Sequence, residues 1–398
     1  MEKKANTAET FVSDSVKYIG VNDHDVDLFE GQYKVPHGMS YNSYVVVDEK
    51  IAVTDTVDAR FTAEWLQNLS RALGGRQPDY LVAQHIEPDH SAGIAAFMQA
   101  YPHAKIVASA KAFAMIGQFF GTQYEDRRVV VGEGDTLPLG TRTLHFVAAP
   151  MVHWPEVIVT YDDKDKILFS ADAFGKFGAL DEENCTQGDA WANEARRYYI
   201  GIVGKYGAQV QSLLKKAAAL NIQTICPLHG PVLKENLGYY LGLYDAWSSY
   251  EAETDGVLIA YASVYGNTKK AAETLAKKLR ENGCAAVKLV DLARADAAEA
   301  VADAFRYSKL VLASVTYNGE LFPCMRAYIE NLTERNFKKR KVGIVENGTW
   351  AAAAAKTMKK MLENSKEIEY VEPIVTVRST LDAESEARLA ELANALAE

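Results

Sequence analysis

Cysteine is scarce in this chain: Cys185, Cys226, Cys284 and Cys324 are the only four among 398 residues. No two lie close together, which excludes a CxxC redox pair, a thiolate zinc site and a disulfide scaffold. Long apolar runs are missing as well, and nothing approaches the ~18 uncharged residues of a membrane span. Met1-Glu2-Lys3-Lys4-Ala5-Asn6 has no apolar stretch behind it, so no secretory signal is expected. Lys and Arg are outnumbered, and a net charge of −10 speaks against non-specific nucleic-acid binding. Neither nucleic acid nor membrane is therefore an expected partner, and the expected location is cytoplasmic.

What is present fits a globular chain. The hydrophobic share of 48% and charged share of 24% lie near globular averages and exclude wholesale disorder. At roughly 150 residues per domain, the length suggests two or three domains. Lys17–Val21, Ser43–Val47 and Ile51–Thr54 are β-branched and aromatic runs parted by turn residues, which predicts strands. Phe61, Trp65, Leu66, Leu69 and Leu73 recur at helical spacing, and Gly74-Gly75 stops that helix. The texture changes in the polar stretch Tyr250–Gly256, which sets the expected domains at 1–252 and 253–398.

Beyond that boundary strands and helices alternate. Strands are expected at Val257–Tyr261, Ala286–Val290, Leu310–Ser314, Val342–Val345 and Tyr370–Val377. Helices follow at Thr268–Asn282, in an alanine-rich segment, near Met325–Leu332, from Ala351, and over Asp382–Ala397. Five such pairs in about 145 residues imply a doubly wound parallel five-stranded sheet.

The first part carries one concentrated cluster. Behind the apolar Leu81-Val82-Ala83 stands Gln84-His85-Ile86-Glu87-Pro88-Asp89-His90-Ser91, with His85, Glu87, Asp89 and His90 as potential metal ligands. In an extended loop His85, Glu87 and Asp89 would project to one side and His90 elsewhere, because side chains alternate. Pro88 would stiffen the loop and Ser91 would cap the following helix. His153, Asp172 and His229 each sit just past an expected strand, where functional loops gather. Taken singly, Asp172 reads as a turn residue, and His24, His37, His103 and His145 as ordinary surface or core histidines. Two imidazoles and two carboxylates packed in one loop are different, because without an ion they would repel and desolvate. Four imidazoles and three carboxylates are too many for one ion and suit two ions with a bridging carboxylate.

The spacing His85-x-Glu87-x-Asp89-His90, then 62, 18 and 56 intervening residues to His153, Asp172 and His229, resembles the metallo-β-lactamase-like domain of flavodiiron proteins. That family joins this domain, an αββα sandwich, to a flavodoxin-like one in the order found here. Hydrolases of the wider fold usually carry His where Glu87 stands, and the extra carboxylate moves preference from zinc toward iron. The resemblance implies that His85, Glu87 and His153 bind one non-haem iron, that Asp89, His90 and His229 bind the other, and that Asp172 bridges them. Three carboxylates against two ferrous ions leave +1, which a bridging hydroxide would neutralise.

Three loops of the second part suit FMN. Ser263-Val264-Tyr265-Gly266-Asn267-Thr268 opens a helix with small and hydroxyl residues, a cradle for phosphate in which no Gly-Lys-Ser/Thr calls for a Mg-nucleotide. Ser314, Thr316, Tyr317, Asn318 and Gly319 follow the third strand, and Asn347, Gly348, Thr349 and Trp350 the fourth. They flank the switch point of a 2-1-3-4-5 sheet, and Tyr317 or Trp350 could stack on a flat ring. The loops resemble those of flavodoxins, with Tyr265 where Thr is common.

The expected protein is an oxidoreductase that reduces O2 to water, NO to N2O, or both, at an iron pair served by FMN. With no rubredoxin-like cysteine pairs in the chain, a separate donor is expected, a rubredoxin or a reduced deazaflavin. The resemblance implies a homodimer, or a pair of such dimers, in which one subunit's flavin serves its partner's irons. The competing readings are a zinc hydrolase of the metallo-β-lactamase fold and a flavodoxin-type carrier with a docking domain.

Overall fold

The computed structural model describes residues 12–181 and 189–398; Met1–Asn6 and Cys185 lie outside the described residues. Met1–Tyr199 with Ala208–Tyr244 form one compact unit, and Ile200–Gly207 with Asp245–Glu398 form a second.

Two sheets make the first unit. One holds, in spatial order, Val16–Tyr18, Tyr44–Val47, Ile51–Thr54, Tyr80–Val82, Lys105–Ala108 and Arg128–Val130. The other holds Thr136–Pro138, Thr143–Ala148, Ile158–Asp162, Ile167–Phe169 and Thr224–Cys226. Tyr44, Val46, Ala52, Val82 and Val107 of the first meet Leu144, Phe146, Ile158, Ile167 and Phe169 of the second in one buried cluster. Burying these side chains is what presses sheet on sheet. The helix Thr62–Leu73 covers the outer face with Trp65, Leu69 and Leu73 and ends where Gly74 turns left-handed at φ 57. The expected strand Lys17–Val21 is divided: Val16–Tyr18 joins the large sheet, while Val21–Asp23 pairs with Met39–Tyr41. Gly20 sits at the break, where a Cβ would lie 2.4 Å from the Tyr41 carbonyl, so the close approach needs glycine.

The second unit has the expected sheet. Its parallel strands run Val287–Asp291, Thr254–Ala262, Tyr307–Tyr317, Arg340–Asn347 and Ile368–Val377 in space, the order 2-1-3-4-5. The helices Asn267–Glu281 and Ala383–Ala397 bury Leu275, Leu279, Leu389 and Leu392 against Val257, Ile259, Val311 and Val345. Asp382 stands just outside the last helix, not within it, and caps it with Ser385. The alanine run also departs from expectation. Its helix starts at Ala354, not Ala351, because the Thr316 hydroxyl accepts the N–H groups of Ala353 and Ala354 and fixes the first turn there. Tyr317-Asn318-Gly319-Glu320 is a tight hairpin, with φ of 51° at Asn318 and 73° at Gly319.

Candidate functional site

All seven metal-ligand candidates of the first unit come together. His153 follows Thr143–Ala148, Asp172 follows Ile167–Phe169 and His229 follows Thr224–Cys226. These three strands run in the same direction, so their carboxyl ends open on one edge. His85 and its neighbours arrive from the strand Tyr80–Val82 of the facing sheet. His85, Glu87, His153 and Asp172 form one group of donor atoms within 4.8 Å of one another, and Asp89, His90 and His229 form another.

The partition of the loop differs from simple alternation. Glu87 ends the extended stretch (φ −60, ψ 140), and Pro88–Ser91 is a helical turn. Asp89 therefore swings to the side of His90, and the expectation that it would align with His85 and Glu87 is corrected. Ser91 does not cap the next helix either; its hydroxyl donates to the Ile86 carbonyl at 2.9 Å and ties the turn to the strand end. His24 and His145 pair with Asp181 and Asp163 at the surface, as ordinary histidines do.

Asp172 holds the two groups together. Its Oδ2 lies 3.3 Å from His85 Nε2 and 3.1 Å from His153 Nε2, and its Oδ1 lies 3.3 Å from His90 Nε2 and 3.6 Å from His229 Nε2. Glu87 Oε2 stands 3.2 Å from His85 and 3.0 Å from His153, while Asp89 Oδ2 stands 3.2 Å from His90 and 3.3 Å from His229. Such crowding perturbs His85, Glu87, His90, His153 and Asp172. Burial disfavours the charged form of His153, but hydrogen bonds that it donates to Asp172 and Glu87 outweigh it and lift its pKa to about 9. His85 and His90 are raised against the same burial, chiefly by Asp172 for the first and Asp89 for the second. Burial opposes ionisation of Glu87, yet His153 and His85 pull it down to about 2, and the histidines hold Asp172 well below the usual carboxylate range.

The donor set fits metal cations. Among the described residues, both Asp89 carboxylate oxygens are buried without a hydrogen bond, and His90 Nε2 faces His229 Nε2 at 3.0 Å. Two ring nitrogens and an unsatisfied carboxylate facing one point ask for a positive charge there.

Several residues of the site escape a reading of the sequence. Glu156 Oε1 lies 2.8 Å from His85 Nδ1 and also accepts the Ile86 N–H. Asp55, at a left-handed φ of 54°, accepts the N–H groups of Gln84 and His85 and pins the strand end; burial pushes its carboxyl up to about 6. The Ser40 carbonyl lies 2.7 Å from His229 Nδ1, and Asn42 donates to the carbonyls of Pro227 and Gly230 to clamp the His229 loop. Phe29, Tyr41 and Tyr198 wall His229 with ring centroids 5.4, 6.0 and 5.5 Å away. Glu156 leaves a trace in the sequence as an acid three residues after His153, and Tyr198 leaves one beside Tyr199, a tyrosine pair that the sequence offers as proton donors or as core.

In the second unit Ser263–Thr268, Tyr317–Gly319 and Gly348–Trp350 emerge at the carboxyl ends of three adjacent strands. Gly266, at φ 90, precedes Asn267–Glu281 with no side-chain cap, so the first N–H groups of that helix are free for an anion. Tyr265 and Trp350 are 94% and 93% exposed, and Val264 and Tyr317 nearly half exposed, as apolar groups offered to a flat ligand would be. Other candidates turn inward. Ser314 and Thr268 are buried, and Thr316 is engaged with Ala353 and Ala354. Asn347 and Thr349 bond Ser379, which joins the fourth-strand loop to the end of the fifth strand.

Residues 39–230 match the family described as ODP family beta lactamase, and residues 258–373 match the flavodoxin domain. An anaerobic nitric oxide reductase flavorubredoxin of Vibrio vulnificus is 30% identical over 352 residues, covering 86% of this chain and 70% of that protein. Rubredoxin oxygen:oxidoreductase of Desulfovibrio gigas superposes with a TM-score of 0.90 at 26% identity, covering 98% of this chain and 97% of that one. The flavodiiron protein of Giardia intestinalis superposes with a TM-score of 0.87 at 25% identity, covering 97% and 95%. Fold, cofactor-fitting loops and relatives agree: the chain belongs to the flavodiiron proteins, oxidoreductases that carry FMN and a di-iron centre.

Proposed function

We propose that the chain reduces O2 to water, NO to N2O, or both. In this reading His85, Glu87 and His153 hold one iron, Asp89, His90 and His229 hold the other, and Asp172 is shared. The observation that carries it is the division of the Asp172 carboxylate: one oxygen faces the imidazoles of His85 and His153, the other those of His90 and His229. When bound, two ferrous ions and reduced FMN supply two electrons each, the four that turn O2 into two waters. The chain's own part is to fix donor geometry and balance charge. The aromatic wall of Phe29, Tyr41 and Tyr198 keeps water from the His229 side.

FMN would lie against Tyr265, Tyr317 or Trp350, with its phosphate at the uncapped helix start beyond Gly266. The metal-binding role belongs to residues 1–252 and the flavin-binding role to residues 253–398. The donor is a rubredoxin or a reduced deazaflavin; the name of the Desulfovibrio gigas relative supports the first. The working unit is a homodimer in which each flavin serves the partner's irons. Among the described residues no helix is long and apolar enough to cross a membrane.

Purified protein should hold close to two irons and one FMN per chain. Anaerobic stopped-flow of the reduced protein against each gas then reads which one reoxidises it. Near-stoichiometric zinc without flavin would favour the hydrolase reading, and no reoxidation by either gas would refute the proposal.

A further inference from the structure

The two halves of the metal centre have the same inner donors, two imidazoles and one carboxylate each, and share Asp172. Nothing in that set distinguishes one iron from the other. The difference lies behind the imidazoles. His85 turns Nε2 toward Glu87 and Asp172 and Nδ1 toward Glu156, whose Oε1 is 2.8 Å away. Both side chains are 0% exposed. In the other half, among the described residues, His229 Nδ1 meets only the neutral carbonyl of Ser40, at 2.7 Å, and His90 Nδ1 is buried without a hydrogen-bond partner. Among the described residues, one half is thus backed by an anion at His85, and the other by a dipole at His229 and no hydrogen-bond partner at His90. The second oxygen of Glu156 is also buried without a donor among the described residues, so a whole charge is kept out of water for the bonds that Oε1 makes.

We propose that Glu156 is a positioning residue that makes the His85 half the more electron-rich, so that its iron is the first to be oxidised and the last to be reduced. This rests on the di-iron reading above. With Nε2 on the ion, Nδ1 carries the proton and donates it to Glu156; the anion pushes density back through the ring and favours ferric over ferrous. In the oxidation so ordered, one electron leaves the ferrous ion of the His85 half. The acceptor is O2 or NO in the proposed reaction, or a mediator in a titration.

The test is Glu156→Gln in the full-length holoprotein. The Gln side-chain oxygen can accept from both His85 Nδ1 and the Ile86 N–H, as Glu156 Oε1 does, so the hydrogen bonds stay and only the charge goes. Wild type is first shown to hold two irons; if it does not, the di-iron reading itself falls. Mediated titration with EPR and Mössbauer detection then follows the two one-electron steps of the iron pair. In the variant the second reduction should rise, by about 59 mV for each tenfold loss of ferric preference. The first step should stay in place, and the mixed-valence signal should shrink. A purely structural role would move neither step. Both steps at wild-type potential, or both shifted equally, would overturn the proposal. If Glu156→Gln does not hold two irons, Glu156→Asp is read the same way: its withdrawn carboxylate should raise the second step alone, and an unshifted step refutes. If neither variant holds two irons, Glu156 serves assembly rather than tuning, and the proposal falls.

Discussion

Loading the centre should expel protons, because carboxylates crowd its imidazoles. In the metal-free site His85, His90 and His153 are all raised by neighbouring carboxylates despite burial, His153 to about 9. A group at about 9 is roughly 99% protonated at pH 7, so His153 carries a proton there. An imidazole must be neutral to bind a metal, so ferrous loading should displace at least the His153 proton from each chain at pH 7. Anaerobic calorimetric titration of the metal-free protein with ferrous ion, in buffers of differing ionisation enthalpy, counts them. Release should fall as pH rises through about 9. The sign for stability is the same: raised histidines stabilise the metal-free fold fully below the ordinary value of about 6.5, and that stability is lost as pH rises through about 9. Glu87 works oppositely, contributing above its ordinary value and losing it as pH falls toward about 2. The metal-free Tm should therefore drop between pH 7 and 10, and the iron-loaded Tm should not follow it. Release of fewer than one proton at pH 7 would show the imidazoles already neutral and refute the electrostatic reading.

Asp172→Ala should cost both irons together, since each of its oxygens faces one imidazole pair, whereas His229→Ala should spare one iron; metal analysis distinguishes them. For the dimer, His90→Ala and Gly266→Asp should each be inactive alone. Dissociated, mixed and reassociated at random, they should regain about a quarter of wild-type activity, while transfer within one chain would return none. Arg142, buried against Asp162 at 2.5 Å and near Asp165 and Asp48, closes a cluster of acids in the first unit. Arg142→Met should cost that unit about 3–5 kcal/mol in denaturant unfolding by leaving Asp162 buried and unpaired, and a cost below about 1 kcal/mol would contradict it.

How much was legible beforehand divides by the range of the interactions involved. The seven metal-ligand candidates were visible because each stands in a short local pattern, a loop after an apolar strand. Regular alternation of strand and helix implied the doubly wound parallel sheet, and the resemblance to flavodoxins implied its order. The side of the site that Asp89 joins was not visible, because the loop turns helical at Pro88 and alternation no longer applies. The start of the alanine helix was set by Thr316, 38 residues before Ala354. Glu156 lies 71 residues from the His85 it backs, and Ser40 lies 189 from His229. A chain can encode in a few neighbouring residues which groups it brings to a site. Which acid, carbonyl or empty space stands behind each of them is decided only when sheet pairing carries distant strands to one edge.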